Sequence, residues 1–340
     1  MAREVIAHAT EAEWLEARKK DVTSTEAAAL FNSGSYIKTF YELYNLKAGI
    51  VQPDEFKDND RTKWGNRLES AIAYGVAEDL GLVVIPFKVY MRDPDARMGS
   101  SFDFRIIGLA DGFDGDETYR ELFRAHGEGI LECKNIDSLQ FKRNWIDGDS
   151  VEATPQIEFQ VAHQLEVADL GWAVIAPLVG GNTIKPAYRL RDRAVGKAIR
   201  DKCIDLWQRV HALAAPEPDY KQDGDTIAKV YRDNDGASVD MSDNERLAVL
   251  CRTYKKASAD IKEATEAKDA AKAEILTIIQ TAKSIAYEGG KISAGTNKAS
   301  FRAYYRSPSE KLTITLTPID GADIEAEAPA FRNVRITEAA

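Results

Sequence analysis

The stretch Gly129-Ile-Leu-Glu-Cys-Lys-Asn135 ends a short apolar run with a carboxylate, one intervening residue and an ammonium. On a β-strand, residues two apart share a face. Glu132 and Lys134 therefore stand side by side on the face of Ile130, while Leu131 and Cys133 pack behind. Two charges projecting together from a buried strand are costly unless they have partners or a task. An isolated E-x-K is ordinarily an ion pair on an edge strand, so the rest of the chain has to decide its meaning.

Upstream, Ser101-Phe-Asp-Phe-Arg-Ile-Ile107 alternates like a strand and puts Ser101, Asp103 and Arg105 on one face. Strands consecutive in sequence commonly pair antiparallel, which brings Asp103 beside Glu132. Two carboxylates and a lysine in one place call for a divalent cation among them. Between the two strands lies the polar, acidic segment 108–128, with a helical patch near Tyr119–Arg124.

The remaining chain supplies a frame. Thr10 with Glu13, and Thr23 with Glu26, are capping-box patterns that open two helices. A helix N-terminus offers free N–H groups and a positive dipole end suited to a phosphate, and Arg18 sits just before the second one. Helices are predicted over 36–48 and 60–80, each stopped by a glycine. On the latter, Trp64, Leu68, Ala71, Ile72 and Val76 form an apolar stripe with Glu69 at its margin. Residues 82–90 read as a strand, and a loop carrying Lys142, Arg143 and Trp145 runs to Pro155. A helix over 156–168 sets Gln156, Gln160, His163 and Gln164 near one face; His163 reads as a hydrogen-bonded helix residue rather than a metal ligand. A buried strand Trp172–Val179, a strand near 185–190 and a helix over 192–213 follow.

Residues 1–213 read as one domain, 214–225 as a polar, Pro-containing linker and 226–340 as a C-terminal extension. From 242 to 287 there is no Gly or Pro, and apolar residues keep 3–4 spacing. That predicts a long helix or a helical hairpin, with Lys268 breaking a heptad-like seam and alanines at its centre. A β-hairpin of 291–293 and 300–305 then interleaves basic residues (Lys291, Lys298, Arg302, Arg306) with tyrosines, as suits a nucleic-acid strand. The tail beyond Ile319 is expected to be loosely ordered.

Composition bounds the function. The net charge of −10 argues against nonspecific coating of nucleic acid, so any DNA contact is a local basic surface or is bridged by metal ions. Three cysteines without C-x-x-C spacing exclude a disulfide framework and a thiolate metal site. No segment reaches the roughly 18 apolar residues of a membrane span, and no signal-peptide pattern is evident. A cytoplasmic protein that does not enter a membrane is the expectation.

Together, the run Arg18 to Glu26, the helix Trp64-Gly-Asn-Arg-Leu-Glu69, Ser101-Phe-Asp103, Leu131-Glu-Cys-Lys134 and Phe159-Gln-Val-Ala-His-Gln-Leu165 occur in the order seen in lambda-exonuclease-like phage recombination nucleases. The chain thus resembles the YqaJ-like viral recombinase family of the PD-(D/E)xK nuclease superfamily over roughly residues 10–210. The resemblance implies an α/β fold with a restriction-endonuclease-like core, a mixed central sheet flanked by helices, here extended by a helical and β-hairpin addition. It implies that Asp103, Glu132, Glu69 and the backbone carbonyl of Cys133 hold one or two Mg²⁺ ions, with Mn²⁺ as a substitute. Lys134 matches the catalytic lysine and Gln160 the glutamine of the following motif, while Arg18, Thr25 and Ser101 fall where the family binds a terminal 5′-phosphate. Thr25 replaces a more usual serine. The insertion after Asp103 is longer than usual, so Asp111 and Asp114 are rival ligands; the Ser101 offset and the strand-like run favour Asp103.

The implied activity is a Mg²⁺-dependent exonuclease acting 5′ to 3′ on linear duplex ends, leaving single-stranded tails for phage-type recombination in a bacterial host. Implied partners are double-stranded DNA ends, a single-strand annealing protein and further copies of the chain in a ring, with Lys142, Arg143, Arg302 and Arg306 as additional DNA contacts. Alternatives are another nuclease of the superfamily, an endonuclease or helicase-linked type, and a non-catalytic DNA-end-binding relative.

Overall fold

The computed structural model describes residues 3–6, 10–53, 59–112, 116–147, 150–288, 290–296, 303–306, 311–314 and 332–338. Chain contacts divide it into two compact units, Met1–Asp235 and Gly236–Ala340.

The first unit is built on a mixed sheet. Its strands lie in the order Thr183–Ile184, Trp172–Val179, Gly129–Ile136, Phe104–Leu109, Leu82–Pro86, with Ala187–Leu190 also paired to Trp172–Val179. Gly129–Ile136 runs antiparallel to Phe104–Leu109, Leu131 opposite Phe104. It runs parallel to Trp172–Val179, Glu132 opposite Ile175. A parallel pair needs a crossover connection, and the helix Pro155–Ala168 supplies it. Strand alternation then separates two cores. Leu131, Cys133, Val174 and Ala176 pack with Ile72, Ala73 and Val76 of the helix Asp60–Asp79. Ile130, Ala173 and Ile175 pack with Val161 and Leu165 of the crossover helix. The helix over 60–79 begins at Asn59, whose side chain accepts from Thr62 N–H. Its first turns run past the core, so Trp64 of the expected stripe is 52% exposed and lies beside Arg67 instead.

A second sheet, ordered Glu4–Ile6, Tyr90–Asp93, Met98–Ser101, Val22–Thr23, lies beside the first. The expected continuous strand over 101–107 is therefore two strands in two sheets, with Phe102 and Asp103 between them. The cause is a divided burial. Phe102 stacks on Phe87 in one core, whereas Phe104 enters the other, so the chain must cross from one sheet to the other at Asp103. The expected strand over 82–90 is likewise split, ending at Pro86 and resuming in the second sheet at Tyr90. Gly99 is required where the second sheet is tightest, because a Cβ there would overlap the Tyr90 hydroxyl. That hydroxyl donates to buried Asp21, which also receives Arg92.

The expected loop after Asn135 contains a short helix, Ser138–Asn144, started by Asp137, whose carboxylate accepts from Leu139 and Gln140 N–H. Phe141 and Trp145 hold it down by burying their stacked rings. The polar stretch 214–225 belongs to the first unit and, though mostly exposed, is anchored to it by Asp223. Asp223 is buried there, accepting from the Thr39 hydroxyl and from Asp219 N–H at 2.7 Å, and a helix Gly224–Val230 follows it.

Of the two expected forms, a long helix or a helical hairpin, the second unit has the first: Glu245–Ile279 is a single uninterrupted helix. It stops before Tyr287. Ser284–Tyr287 is a strand paired with Gly290–Thr296, Ile285 facing Ile292, so apolar residues that continued the helical spacing serve a two-residue period instead. The expected pairing of 291–293 with 300–305 is replaced. Gly290–Thr296 takes Arg332–Glu338 as its other neighbour, and Ala303–Arg306 pairs with Lys311–Ile314. Lys298, Arg302 and most of the tail lie outside the described residues.

Candidate active site

The Gly129–Ile136 strand delivers Glu132 to the face of the crossover helix, where the carboxylate is 1% exposed. Three side chains satisfy it. Lys134 Nζ and Gln160 Nε2 each reach Oε1 at 2.5 Å, and Gln164 Nε2 reaches Oε2 at 2.8 Å. Gln160 and Gln164 are one helical turn apart, so both amides point at the same strand position. Asp103, at the crossing between sheets, is drawn onto this strand by the Cys133 N–H, which donates to Oδ2 at 2.8 Å. Phe87 N–H fixes the Asp103 main chain at 3.0 Å. Cys133 turns its thiol into the opposite core. The expected antiparallel pairing of the two strands is observed, Phe104 opposite Leu131, while Asp103 sits just before the paired segment and is held by Cys133 N–H rather than by a strand pairing with Glu132.

The electrostatics follow from crowding. Burial and the charge of Glu132 push the Asp103 carboxyl well above the usual carboxylate range. Burial, then the charge of Glu132, also raises Glu69 on the helix Asp60–Asp79. Burial works to lower Lys134, but the Glu132 and Asp103 carboxylates outweigh it and hold its pKa above the ordinary lysine value. Among the described residues, no three Asp, Glu, His or Cys side chains converge at ligating distance, because Glu132 is engaged by its three donors and Asp103 by Cys133 N–H. The donor chemistry still suits a hard cation. The oxygens are carboxylates, two of them under like-charge stress, and the buried Gln164 Oε1 beside them has no hydrogen-bond partner.

A second group of expected residues gathers around the helix N-terminus at Ser24. Arg18 lies over the Trp14 ring and donates to Thr25 Oγ1 at 3.3 Å. Trp14 Nε1 donates to Ser101 Oγ at 2.9 Å, and Gln156 Nε2 donates to the Thr25 carbonyl at 2.7 Å. The Ser101 carbonyl accepts from Gln164 at 3.1 Å. A path of hydrogen bonds, completed by the cation–π contact of Arg18 on Trp14, therefore joins Arg18, Thr25 and Ser101 to Glu132 through Trp14 and Gln164. His163 is buried with Nδ1 2.9 Å from Ser100 Oγ, and burial pushes its pKa down to about 3. It is a neutral hydrogen-bonded helix residue, as its isolation in the sequence suggested.

Other expected residues stand apart. Asp111 is exposed in the turn beyond the far end of the Phe104–Leu109 strand, the strand's whole length away from Asp103. Asp114 lies outside the described residues, as does Arg302; Arg306 is in the strand Ala303–Arg306. Lys142 and Arg143 are exposed on the helix that follows the Glu132 strand. The site residues missed in the sequence are Trp14 and Gln164. Gln164 carried a signal, its i+4 spacing from Gln160, whereas nothing local marks Trp14 as the partner of Ser101.

The profile of the YqaJ-like viral recombinase domain matches residues 13–171. No curated protein matches the sequence. Among solved structures the chain is similar to an alkaline exonuclease from Laribacter hongkongensis, at 15% identity and a TM-score of 0.43, covering 64% of this chain and 100% of that one. The same exonuclease in complex with dAMP matches at 16% identity and a TM-score of 0.42, over 64% and 98% of the two chains. A phage-related exonuclease from Haemophilus somnus 129PT matches at 12% identity and a TM-score of 0.32, over 61% and 89%.

Proposed function

We propose that the chain, whose residues 13–171 match the profile of the YqaJ-like viral recombinase domain, is a Mg²⁺-dependent DNA exonuclease digesting one strand of a linear duplex from its 5′ end. The observation that carries this reading is the Cys133 N–H bond to Asp103, which sets Asp103 beside Glu132 and Lys134. Hydrolysis of a phosphodiester needs a positioned water, neutralisation of the charge that builds on the phosphate oxygens, and help for the leaving oxygen. Mg²⁺ or Mn²⁺ held by Asp103, Glu132, Glu69 and the Cys133 carbonyl would supply charge neutralisation and an acidified water. Lys134 keeps its proton at neutral pH in this cluster, which suits it to stabilise developing negative charge. Gln160 orients Glu132 through its amide.

Arg18, Thr25 and Ser101 would hold a 5′-phosphate, the arginine by a charge-assisted contact, and the Trp14 and Gln164 bridge keeps that pocket in fixed relation to the carboxylates. The product is then a 3′ single-stranded tail, the form an annealing protein takes up. A ring of identical chains, which requires a heterologous interface that closes, would keep the enzyme on its duplex.

The test is digestion of linear duplexes bearing 5′-phosphate or 5′-hydroxyl ends, with Mg²⁺ and with chelator. Chelator should stop digestion and the phosphorylated end should be faster. Arg18→Ala should remove most of that preference, about 10-fold or more for a contact of roughly 1.5–3 kcal/mol. Cleavage of closed circles would move the reading to an endonuclease, and chelator-insensitive end binding without cleavage to a non-catalytic relative.

A further inference from the structure

The helix Glu245–Ile279 presents an apolar seam that the described residues leave open along most of its length, only Ile275 of the seam being half-buried. Tyr254 is 76% exposed, Ile261 67% and Ile278 69%, with Leu247 and Leu250 also open to solvent. Such a stripe on a helix roughly 50 Å long, at 1.5 Å per residue, is a surface built to be covered. Its period is seven. Leu247, Tyr254, Ile261, Lys268 and Ile275 fall at one heptad position, and Leu250, Ala257, Ala264, Ala271 and Ile278 at the other. A seven-residue repeat kept over five heptads and broken only at Lys268 favours a coiled-coil partner over a core helix.

Size and charge together choose the partner. Laid parallel to a copy of itself, the helix would stack Tyr254 on Tyr254 and Lys268 on Lys268, leaving alanine against alanine between them. Laid antiparallel about a midpoint between Ile261 and Ala264, it sets large against small: Tyr254 over Ala271, Lys268 over Ala257, Ile261 over Ala264. The ends close with Leu247 on Ile278. The charges agree. Arg246, Arg252, Lys255 and Lys256 give the N-terminal half a basic excess, and Glu263, Glu266, Asp269 and Glu274 give the C-terminal half an acidic one. Antiparallel packing sets these halves, and the opposed helix dipoles, against each other.

We propose that this helix is a homotypic docking surface, pairing two copies of the chain as an antiparallel two-stranded coiled coil. The inference rests on the second unit alone and does not depend on the nuclease reading.

Two measurements on the full-length chain test it. Tyr254 and Ile261 are exposed, so Tyr254→Glu with Ile261→Glu leaves each copy's own packing intact. The double variant should halve the molar mass found by light scattering, whatever number of copies the first unit holds together. In the antiparallel register Cys251 comes beside position 272 of the other copy. Cys251 is exposed, whereas Cys133 and Cys203 are buried. Lys272→Cys treated with a short bis-maleimide should therefore give a covalent dimer. The two positions are roughly 30 Å apart within one helix, beyond the linker's reach. An unchanged mass in the double variant overturns the proposal, as does a halved mass with no cross-link, which would require another register. A cross-link confined to one chain also overturns it, since that would be a hairpin. So does a monomeric wild type whose seam is protected from hydrogen exchange, which would mean that undescribed residues of the same chain cover it.

Discussion

Glu132 is the residue on which the site turns, and its surroundings separate two kinds of substitution. Lys134→Ala removes a charge that touches the reacting phosphate in the proposed function, and digestion should fall at least about 100-fold, with the far-ultraviolet spectrum unchanged. Glu132→Ala should do more. It strands a buried ammonium and two buried amides, at a cost of about 3–5 kcal/mol, so this variant should also unfold at markedly lower denaturant. Glu132→Gln keeps the shape and should separate lost chemistry from lost stability. A Glu132→Ala protein as stable as the wild type would show that the buried knot contributes nothing. The strand bearing Glu132 and Lys134 was legible in the sequence because a two-residue period fixes which side chains share a face. The knot was not. Gln160 and Gln164 reveal their purpose only once the helix lies across that strand, and the link from Trp14 to Ser101 spans a separation in sequence that no local pattern encodes.

At the scale of elements, the crossover helix Pro155–Ala168 is the piece that couples site and fold. One side meets Glu132 through its amides. His163 meets the Met98–Ser101 strand at Ser100, and Glu166, buried, receives Arg191 and Arg200. His163 gives this packing a pH signature. Its folded pKa of about 3 lies below its ordinary 6.5, so the neutral form is the one the fold accepts. Its contribution is complete above pH 6.5 and is lost as pH falls toward 3, because only the unfolded chain takes up the proton. Stability should drop by roughly 1.4 kcal/mol per pH unit below about pH 6. Denaturant midpoints at a series of pH values, for wild type and His163→Asn, check this; the variant should lose that slope. Helices and buried strands were readable here because their periodicity is local. The split of 101–107 between two sheets was not, since Phe102 and Phe104 alternate as in one strand and differ only in which core receives them.

At the scale of the whole chain, the matched region 13–171 and the carboxylate cluster all belong to the first unit. The polar stretch 214–225 looked like a boundary from its prolines and charges. Composition cannot register that Asp223 is a buried acceptor for Thr39. A chain ending at Asp235 should therefore retain the first unit's melting transition. One ending at Leu213 should be destabilised by about 1–3 kcal/mol for the buried groups left unpaired, plus the packing of the Gly224–Val230 helix. Calorimetry of the two truncations separates these outcomes, and equal transitions would place the stretch outside the folded unit after all.

The three donors around Glu132 carry one more consequence, for handling the protein. A carboxylate already neutralised by its own chain does not wait for a counter-ion in order to fold. The protein should therefore reach its full structure in chelating buffer, with a melting temperature within a few degrees of that in plain salt. On the proposed function, added Mg²⁺ should raise it progressively once its concentration exceeds its dissociation constant. On the proposed function it could then be made, concentrated and stored beside DNA as a finished but silent molecule, and started by a single addition.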